Sequence, residues 1–283
     1  MRKLVNEKVQ KATEKCRKST GEKKRLDALL VERGLAESRE QAQRLILAGQ
    51  VIHPQGLPLK PGMKVPVDFE VSLSTPPKYI SRGGYKLEAA LTRFSIDVTG
   101  LVCVDVGAST GGFTDCLLQA GARRVYAVDV GNSTLHARLR NDPRVTILDH
   151  TNARYLRRDL FDETPSFATM DVSFISVTKI LPALAQCLTN DARAVVLLKP
   201  QFEATKEIVS RGRGVLRDPK THSTVLRLLL AAIVSTGWHV ARLMPSPILG
   251  GSGNREYLAL LELGSGDSSI DVDAVVTEAF LIR

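Results

Sequence analysis

Several things are scarce in this 283-residue chain. Aromatic side chains number one Trp, five Tyr and eight Phe, so any core must be built mainly from aliphatic residues. There are four cysteines, Cys16, Cys103, Cys116 and Cys187. Their spacing matches neither a zinc site nor a disulfide framework, which points to a reducing, cytoplasmic setting with buried thiols. No apolar run approaches the roughly 18 residues of a membrane-spanning helix, so no membrane partner is expected. Ala194–Leu198 and Leu228–Val234 read instead as a buried strand and a core helix. The N-terminus lacks the apolar stretch of a secretory signal, and Glu7, Glu14 and Glu22 argue against a transit peptide. Internal repeats and low-complexity tracts are missing too.

What is present is 43% hydrophobic residues and a lopsided charge. Residues 1–78 hold 16 Lys and Arg against 9 Asp and Glu, whereas the rest of the chain holds 23 against 21. A basic segment beside a nearly neutral one suggests a polyanion-binding module joined to a second domain. Residues 1–24 read as a flexible basic extension. Residues 25–71 read as a compact α+β module. Asp27–Gly34 is a short amphipathic helix stopped by glycine, and Ser38-Arg-Glu-Gln41 is a capping box opening a helix that ends at Gly49. A short strand at Val51-Ile52 and turns at residues 54–56 and 61–62 follow. Residues 72–84, with Pro76-Pro77 and Gly83-Gly84, read as a linker.

The pattern then alternates strand and helix. Seven strands are predicted, at Leu101–Val106, Val125–Val130, Val145–Leu148, Phe167–Val172, Ala194–Lys199, Trp238–Arg242 and Tyr257–Leu261. Short apolar strands separated by helices make an α/β fold, Rossmann-like, with a mostly parallel sheet covered on both faces. Its span is placed at 85–265, with 266–283 as a C-terminal helix or tail.

The first of these strands runs into Asp105-Val-Gly-Ala-Ser-Thr-Gly-Gly-Phe-Thr-Asp115. Glycines there let the backbone turn tightly and approach a ligand beyond the strand ends. A dinucleotide is one candidate and S-adenosylmethionine another. Asp129, closing the next strand, suits a ribose diol in either. The loop lacks the second early glycine that a pyrophosphate favours, which tilts the reading toward the phosphate-free cofactor.

Four charged residues surround that loop in the expected fold: Lys86, Asp171, Lys199 and Glu256. Asp171 and Lys199 close the fourth and fifth strands, where parallel strands face the ligand. A lysine ending the run Ala-Val-Val-Leu-Leu-Lys199 needs a partner once buried, and Asp171 and Glu256 are candidates. Such a lysine, its proton affinity lowered by burial and by a second cation at Lys86, would serve as base for transfer to a ribose hydroxyl. An ordinary ion-pair network at the sheet edge is the alternative. No metal is required. Methylation of a base amine usually shows an Asp/Asn-Pro-Pro-aromatic loop, and here the sequence is Asp171-Val-Ser-Phe174. Pyrimidine C5 chemistry needs a nucleophilic cysteine, and Cys187 is expected mid-helix.

These motifs, in this order, resemble the TlyA family, whose members carry the names hemolysin and ribosomal RNA cytidine 2′-O-methyltransferase. Ser81-Arg-Gly-Gly-Tyr-Lys-Leu87, the glycine loop, Asp171-Val-Ser-Phe-Ile-Ser176 and Leu198-Lys-Pro-Gln-Phe-Glu203 carry the likeness. It extends over residues 25 to about 262. The catalytic half resembles FtsJ-type ribose methyltransferases, of class I fold, and their Lys-Asp-Lys-Glu tetrad falls on Lys86, Asp171, Lys199 and Glu256. The resemblance implies S-adenosyl-L-methionine held by Gly107, Ala108, Ser109, Gly111, Gly112 and Phe113, with Asp129 on the ribose and Asn152 near the adenine. Residues 25–71 resemble the S4-type RNA-binding domain through Ser38-Arg39, Ala42, Leu45-Ile46, Gly49 and Val51. Arg39, Arg44, Lys60, Lys64 and, beside the tetrad, Arg82 are the candidate RNA contacts. Ribosomal RNA within ribosomal subunits is the implied partner, for a monomer or homodimer. The basic extension is a departure, since family members often lack it.

Three competing readings remain. Pseudouridine synthases also carry S4-type domains, and their catalytic Arg-Leu-Asp is imitated by Arg25-Leu-Asp27. Asp27 is read as structural because it opens a small helix. A membrane-active hemolysin would need a spanning segment, a barrel pattern or a strongly amphipathic helix. A non-catalytic RNA-binding assembly factor would not need the complete tetrad.

Overall fold

The computed structural model describes residues 22–74, 77–131, 134–212, 214–264, 266 and 269–282. The basic extension and Cys16 therefore fall almost wholly outside the described residues. The chain divides into two compact units, Met1–Lys78 and Tyr79–Arg283.

The small unit contains β1 (Lys23–Arg25), α1 (Leu26–Glu32), α2 (Arg39–Leu47), β2 (Val51–Ile52), β3 (Lys64–Pro66) and β4 (Ser72–Leu73). Strand β1 pairs antiparallel with β3, and β2 with β4. The Ser38 hydroxyl accepts from the Gln41 amide at 3.2 Å, so the N-cap half of the capping box forms as read. The Gln41 side chain turns back to accept from the Glu37 amide at 2.6 Å. Gly34 and Gly49, at φ 68° and 69°, end the two helices in the left-handed conformation. Leu26, Leu29, Leu30, Ala42, Ile46, Val51, Val65 and Phe69 form the core.

The large unit opens with α3 (Gly83–Phe94). It continues through β5 (Val102–Val106), α4 (Gly112–Gln119), β6 (Arg124–Val128), α5 (Ala137–Arg140) and β7 (Val145–Leu148). Next come β8 (Phe167–Met170), α6 (Leu181–Ala185), β9 (Arg193–Leu198), α7 (Pro200–Glu203), α8 (Lys206–Arg211) and α9 (Pro219–Val234). Strands β10 (Trp238–Pro245) and β11 (Tyr257–Leu263) and helix α10 (Val272–Leu281) complete it. All seven expected strands join one sheet, ordered β10-β11-β9-β8-β5-β6-β7. The five from β9 to β7 are parallel, while β11 runs antiparallel to both its neighbours.

Period-two alternation sorts the strand residues into two cores. Val102, Val104, Val106, Ala194, Val196 and Leu198 pack on one face, and Cys103, Val125, Val195 and Leu197 on the other. Both faces are covered, which is why the strands read as continuous apolar runs.

Several segment boundaries differ from the sequence reading. Lys23 and Lys24, read as part of the extension, open β1, and Gly83-Gly84, read as linker, open α3. Ser72-Leu73, placed in the linker, pairs with Val51-Ile52 inside the small unit. A two-residue strand leaves no periodic signal. The segment read as a C-terminal helix or tail supplies Val272, Val276 and Ala279 to the core of the large unit. Cys187 sits beyond the end of α6 rather than mid-helix, buried, with its thiol donating to the Ala183 carbonyl at 3.3 Å. Burial pushes that thiol up to about 11, the wrong direction for a nucleophile.

Candidate active site

Strand order reverses between β5 and β8, because the chain runs outward through β6 and β7 before returning to β8. Two adjoining cavities lie at that switch point, beyond the C-terminal strand ends. One, of about 370 Å³, is lined among others by Gly107, Ser109, Asp129, Asn152, Asp171 and Ser173. The other, of about 230 Å³, is lined by Ser81, Arg82, Gly83, Lys86, Gly107–Thr110, Gly112, Phe113 and Asp171.

The loop after β5 is shaped by contacts a side chain would destroy. Gly107 sits at φ 82°, and a Cβ there would lie 2.4 Å from the Asp171 carbonyl oxygen. A Cβ on Gly112 would meet the Ser81 hydroxyl at 2.1 Å. Gly111 has a different reason to be glycine. It adopts φ 96°, and its missing side chain is replaced by Leu139. It lines neither cavity, so its place is in the packing of the loop.

Asp105 is fully buried at the end of β5. One carboxylate oxygen accepts from Thr114 at 2.7 Å, the other from Thr169 at 2.8 Å. Burial, and to a smaller extent the charge of Asp171, raises its pKa to about 6 despite those hydroxyls. Asp129, after β6, accepts the Ser109 amide at 2.8 Å and the Gly131 amide at 2.9 Å. It therefore fixes the loop whose wall it shares. The Asn152 side-chain Oδ1 accepts from the Arg154 amide at 3.1 Å, which caps the turn bordering the larger cavity.

The four charged residues form two pairs, Lys86 with Glu256 buried on both sides and Lys199 with an Asp171 that is a quarter exposed. Lys199, 9% exposed, places its Nζ 2.6 Å from Asp171 Oδ1 and donates to the Ser173 hydroxyl at 3.0 Å. The Phe202 ring centroid lies 5.9 Å from the same nitrogen. Lys86, carried by α3, pairs with Glu256 at 2.5 Å; the two residues are 8% and 5% exposed. Sheet register links the pairs. Tyr257 lies opposite Leu198 in the β11–β9 ladder, so Glu256 and Lys199 occupy the next step. The loop before β11 is tight for the same reason, since a Cβ on Gly250 would lie 2.4 Å from Glu256 Oε1.

Of the expected RNA contacts, Arg39, Arg44, Lys60 and Lys64 are exposed on the small unit. Arg82 is exposed on the large unit and borders the smaller cavity beside Lys86. Asp27 is fully buried and held by Arg25 at 2.7 and 3.0 Å and by Gln43 at 2.9 Å. Those hydrogen bonds, Arg25 first, keep its carboxyl far below the usual range, so it anchors the small unit and is no catalytic acid. Ser81, Thr110 and Ser173 line the cavities without having been singled out in the sequence. Ser81 and Ser173 stand inside the Ser81–Leu87 and Asp171–Ser176 motifs. Phe174, beside Ser173, is 90% exposed at φ 63°.

Comparison with known proteins agrees with this architecture. Residues 79–263 match the model of the FtsJ-like methyltransferase family, and residues 24–52 match that of the S4 domain. The chain is 47% identical over 241 residues to the Bacillus subtilis protein named "Putative rRNA methyltransferase YqxC", covering 84% of this chain and 85% of that one. It is 45% identical over 240 residues to the 16S/23S rRNA (cytidine-2′-O)-methyltransferase TlyA of Mycobacterium tuberculosis, covering 84% and 89%. The solved structure of a protein from Streptococcus thermophilus named "Putative hemolysin" superposes with a TM-score of 0.71 at 44% identity, covering 92% of this chain and 96% of that one. The chain thus belongs to the TlyA family, in which an S4 domain precedes an FtsJ-like methyltransferase domain.

Proposed function

We propose that this protein methylates a ribose 2′-hydroxyl of ribosomal RNA, on a cytidine, using S-adenosylmethionine. The observation that carries the reading is the buried Lys199 amine. It is held 2.6 Å from Asp171 beyond the parallel strands, and both of its partners, Asp171 and Ser173, line the larger cavity. The names of the relatives supply the acceptor: two carry rRNA methyltransferase in their names, and one of those specifies cytidine 2′-O.

The site fits the cofactor on its own geometry. The glycine at 107 lets the loop after β5 lie against the Asp171 backbone, so that both line the larger cavity, and the acidic group at 129 borders the same cavity from the neighbouring strand. In this reading Gly107, Ala108, Ser109, Gly112 and Phe113 hold the methionine end, Asp129 the ribose and Asn152 the adenine side. When bound, S-adenosylmethionine supplies the methyl carbon that the ribose oxygen attacks, and the carbon–sulfur bonding pair leaves with the sulfur.

Lys199 takes the proton of the 2′-hydroxyl, and Asp171 stabilises the resulting ammonium. Glu256 and Lys86 neutralise one another and fix the floor of the site. Arg82 meets a phosphate of the acceptor strand, while Arg39, Arg44, Lys60 and Lys64 bind RNA phosphates elsewhere. A membrane-active role finds no support in helices. Among the described residues none is long and apolar enough to cross a membrane.

The test incubates the protein with methyl-labelled cofactor and purified unmethylated ribosomal subunits, followed by mass spectrometry of the nucleosides. The expected product is 2′-O-methylcytidine, formed by the wild type and abolished in Lys199→Ala with cofactor affinity retained. A methyl group on a base overturns the mechanism.

A further inference from the structure

The Lys199 amine has a second hydrogen-bond partner that the tetrad does not account for. The Ser173 hydroxyl accepts from Nζ at 3.0 Å while Asp171 holds the same nitrogen at 2.6 Å. Ser173 reaches that position because the segment carrying it is tied down at both ends. Upstream, the Asp171 amide donates to the Val106 carbonyl at 2.9 Å. Downstream, the Glu203 carboxylate accepts the Val177 amide at 3.0 Å. Between them Phe174 takes up the left-handed backbone, φ 63°, that turns the chain. Glu203 lies four residues beyond Lys199, on α7, so the same short stretch holds this loop at two points.

We propose that Ser173 is a positioning residue for Lys199, selecting the direction in which the amine meets the ribose hydroxyl. The inference rests on the reading of Lys199 as base. A neutral amine has two hydrogens and one lone pair around its carbon–nitrogen bond. Donating one hydrogen to Asp171 leaves two equivalent directions, either of which can carry the remaining hydrogen or the lone pair. An acceptor in one of them draws the hydrogen there and leaves the lone pair in the other. With Nζ donating to the Ser173 hydroxyl as it does here, the lone pair is left in the other direction, and the lone pair is what a base presents to the proton it removes. This is the logic by which a third group orients a catalytic base.

The experiment measures steady-state methylation of purified unmethylated ribosomal subunits by Ser173→Ala, Ser173→Thr and Lys199→Met, with cofactor affinity read separately by calorimetry. Losing one such hydrogen bond from the reacting arrangement is worth about a threefold to tenfold fall in kcat. Ser173→Ala is expected to show that fall with KM for the subunits and Kd for the cofactor unchanged. Ser173→Thr, which keeps the hydroxyl, is expected to restore kcat to within about twofold. A Ser173→Ala variant with wild-type kcat overturns the inference. So does a loss that falls on cofactor Kd, which would make Ser173 a wall of the cofactor cavity only. A Lys199→Met variant that turns over at the wild-type rate instead overturns the reading of Lys199 as base, whatever Ser173→Ala does.

Discussion

Replacing Lys86 with methionine leaves the Glu256 carboxylate 5% exposed and without its ammonium partner. The cost follows from what surrounds that carboxylate. Gly250 closes one side so tightly that a single added carbon would touch Oε1, so water has little room to take the place of the lysine. Stranding one member of a buried ion pair costs about 3–5 kcal/mol. For a unit of about two hundred residues that lowers the melting temperature by about 10 °C. Replacing both members, Lys86→Met with Glu256→Leu, removes the stranded charge, so most of the loss should return. The chain supplies its own reporter. Its one tryptophan, Trp238, is fully buried in β10, so its fluorescence follows unfolding of the large unit alone. The expected order of midpoints is wild type, then the double variant close below, then Lys86→Met well below. A double variant as unstable as Lys86→Met would refute the reasoning, because the damage would then be lost packing and not an unpaired charge.

Three further outcomes are expected. Asp105 ionises with a pKa near 6 in the folded chain against an ordinary value of 3.8, so its contribution is full below pH 3.8 and is lost as pH rises through 6. Asp105→Asn should therefore stabilise the protein by up to about 3 kcal/mol at pH 8 and by nothing at pH 4, read by urea unfolding at the two pH values. Asp129→Ala removes a charged acceptor from the cofactor cavity and should weaken S-adenosylmethionine binding about tenfold or more by calorimetry, whereas Lys199→Ala should not. Arg44→Ala should reduce the slope of log RNA affinity against log salt by about 0.7–0.9, the signature of one lost phosphate contact.

The strands of the large sheet were legible because most are apolar runs buried between helices, as β5, β8 and β9 are; β7, half-buried, was legible from its apolar residues alone. Asp171 and Lys199 were legible for a related reason, since a charge that ends such a run stands out. Pairing was not. Lys86 and Glu256 are 170 residues apart, and the sequence offered Glu256 equally to Lys199. Only the helix carrying Lys86 against the antiparallel last strand decides between them. Gly111 could be read as a ligand-binding glycine because sequence does not distinguish a missing side chain that admits a ligand from one that admits Leu139. Ser173, although inside the Asp171–Ser176 motif, carried no signal of its own, as a serine in a turn is common and its partner closes the neighbouring strand. The C-terminal helix carried a signal in Val272, Val276 and Ala279, spaced for one helical face, that length alone obscured.

The insertion of β11 between β9 and β10 has a consequence in time as well as in space. The ribosome makes Lys86 early and Glu256 late, with the whole parallel sheet between them. Until the final hairpin slots into place, Lys86 has no Glu256 to meet, and the strand that fills the gap beside β9 is missing. The Lys86–Glu256 contact is thus one of long sequence separation, the kind that slows folding in general. It also means that a partly synthesised chain, even one already carrying its glycine loop, lacks the finished site. The site is complete only with β11, the last strand, in place.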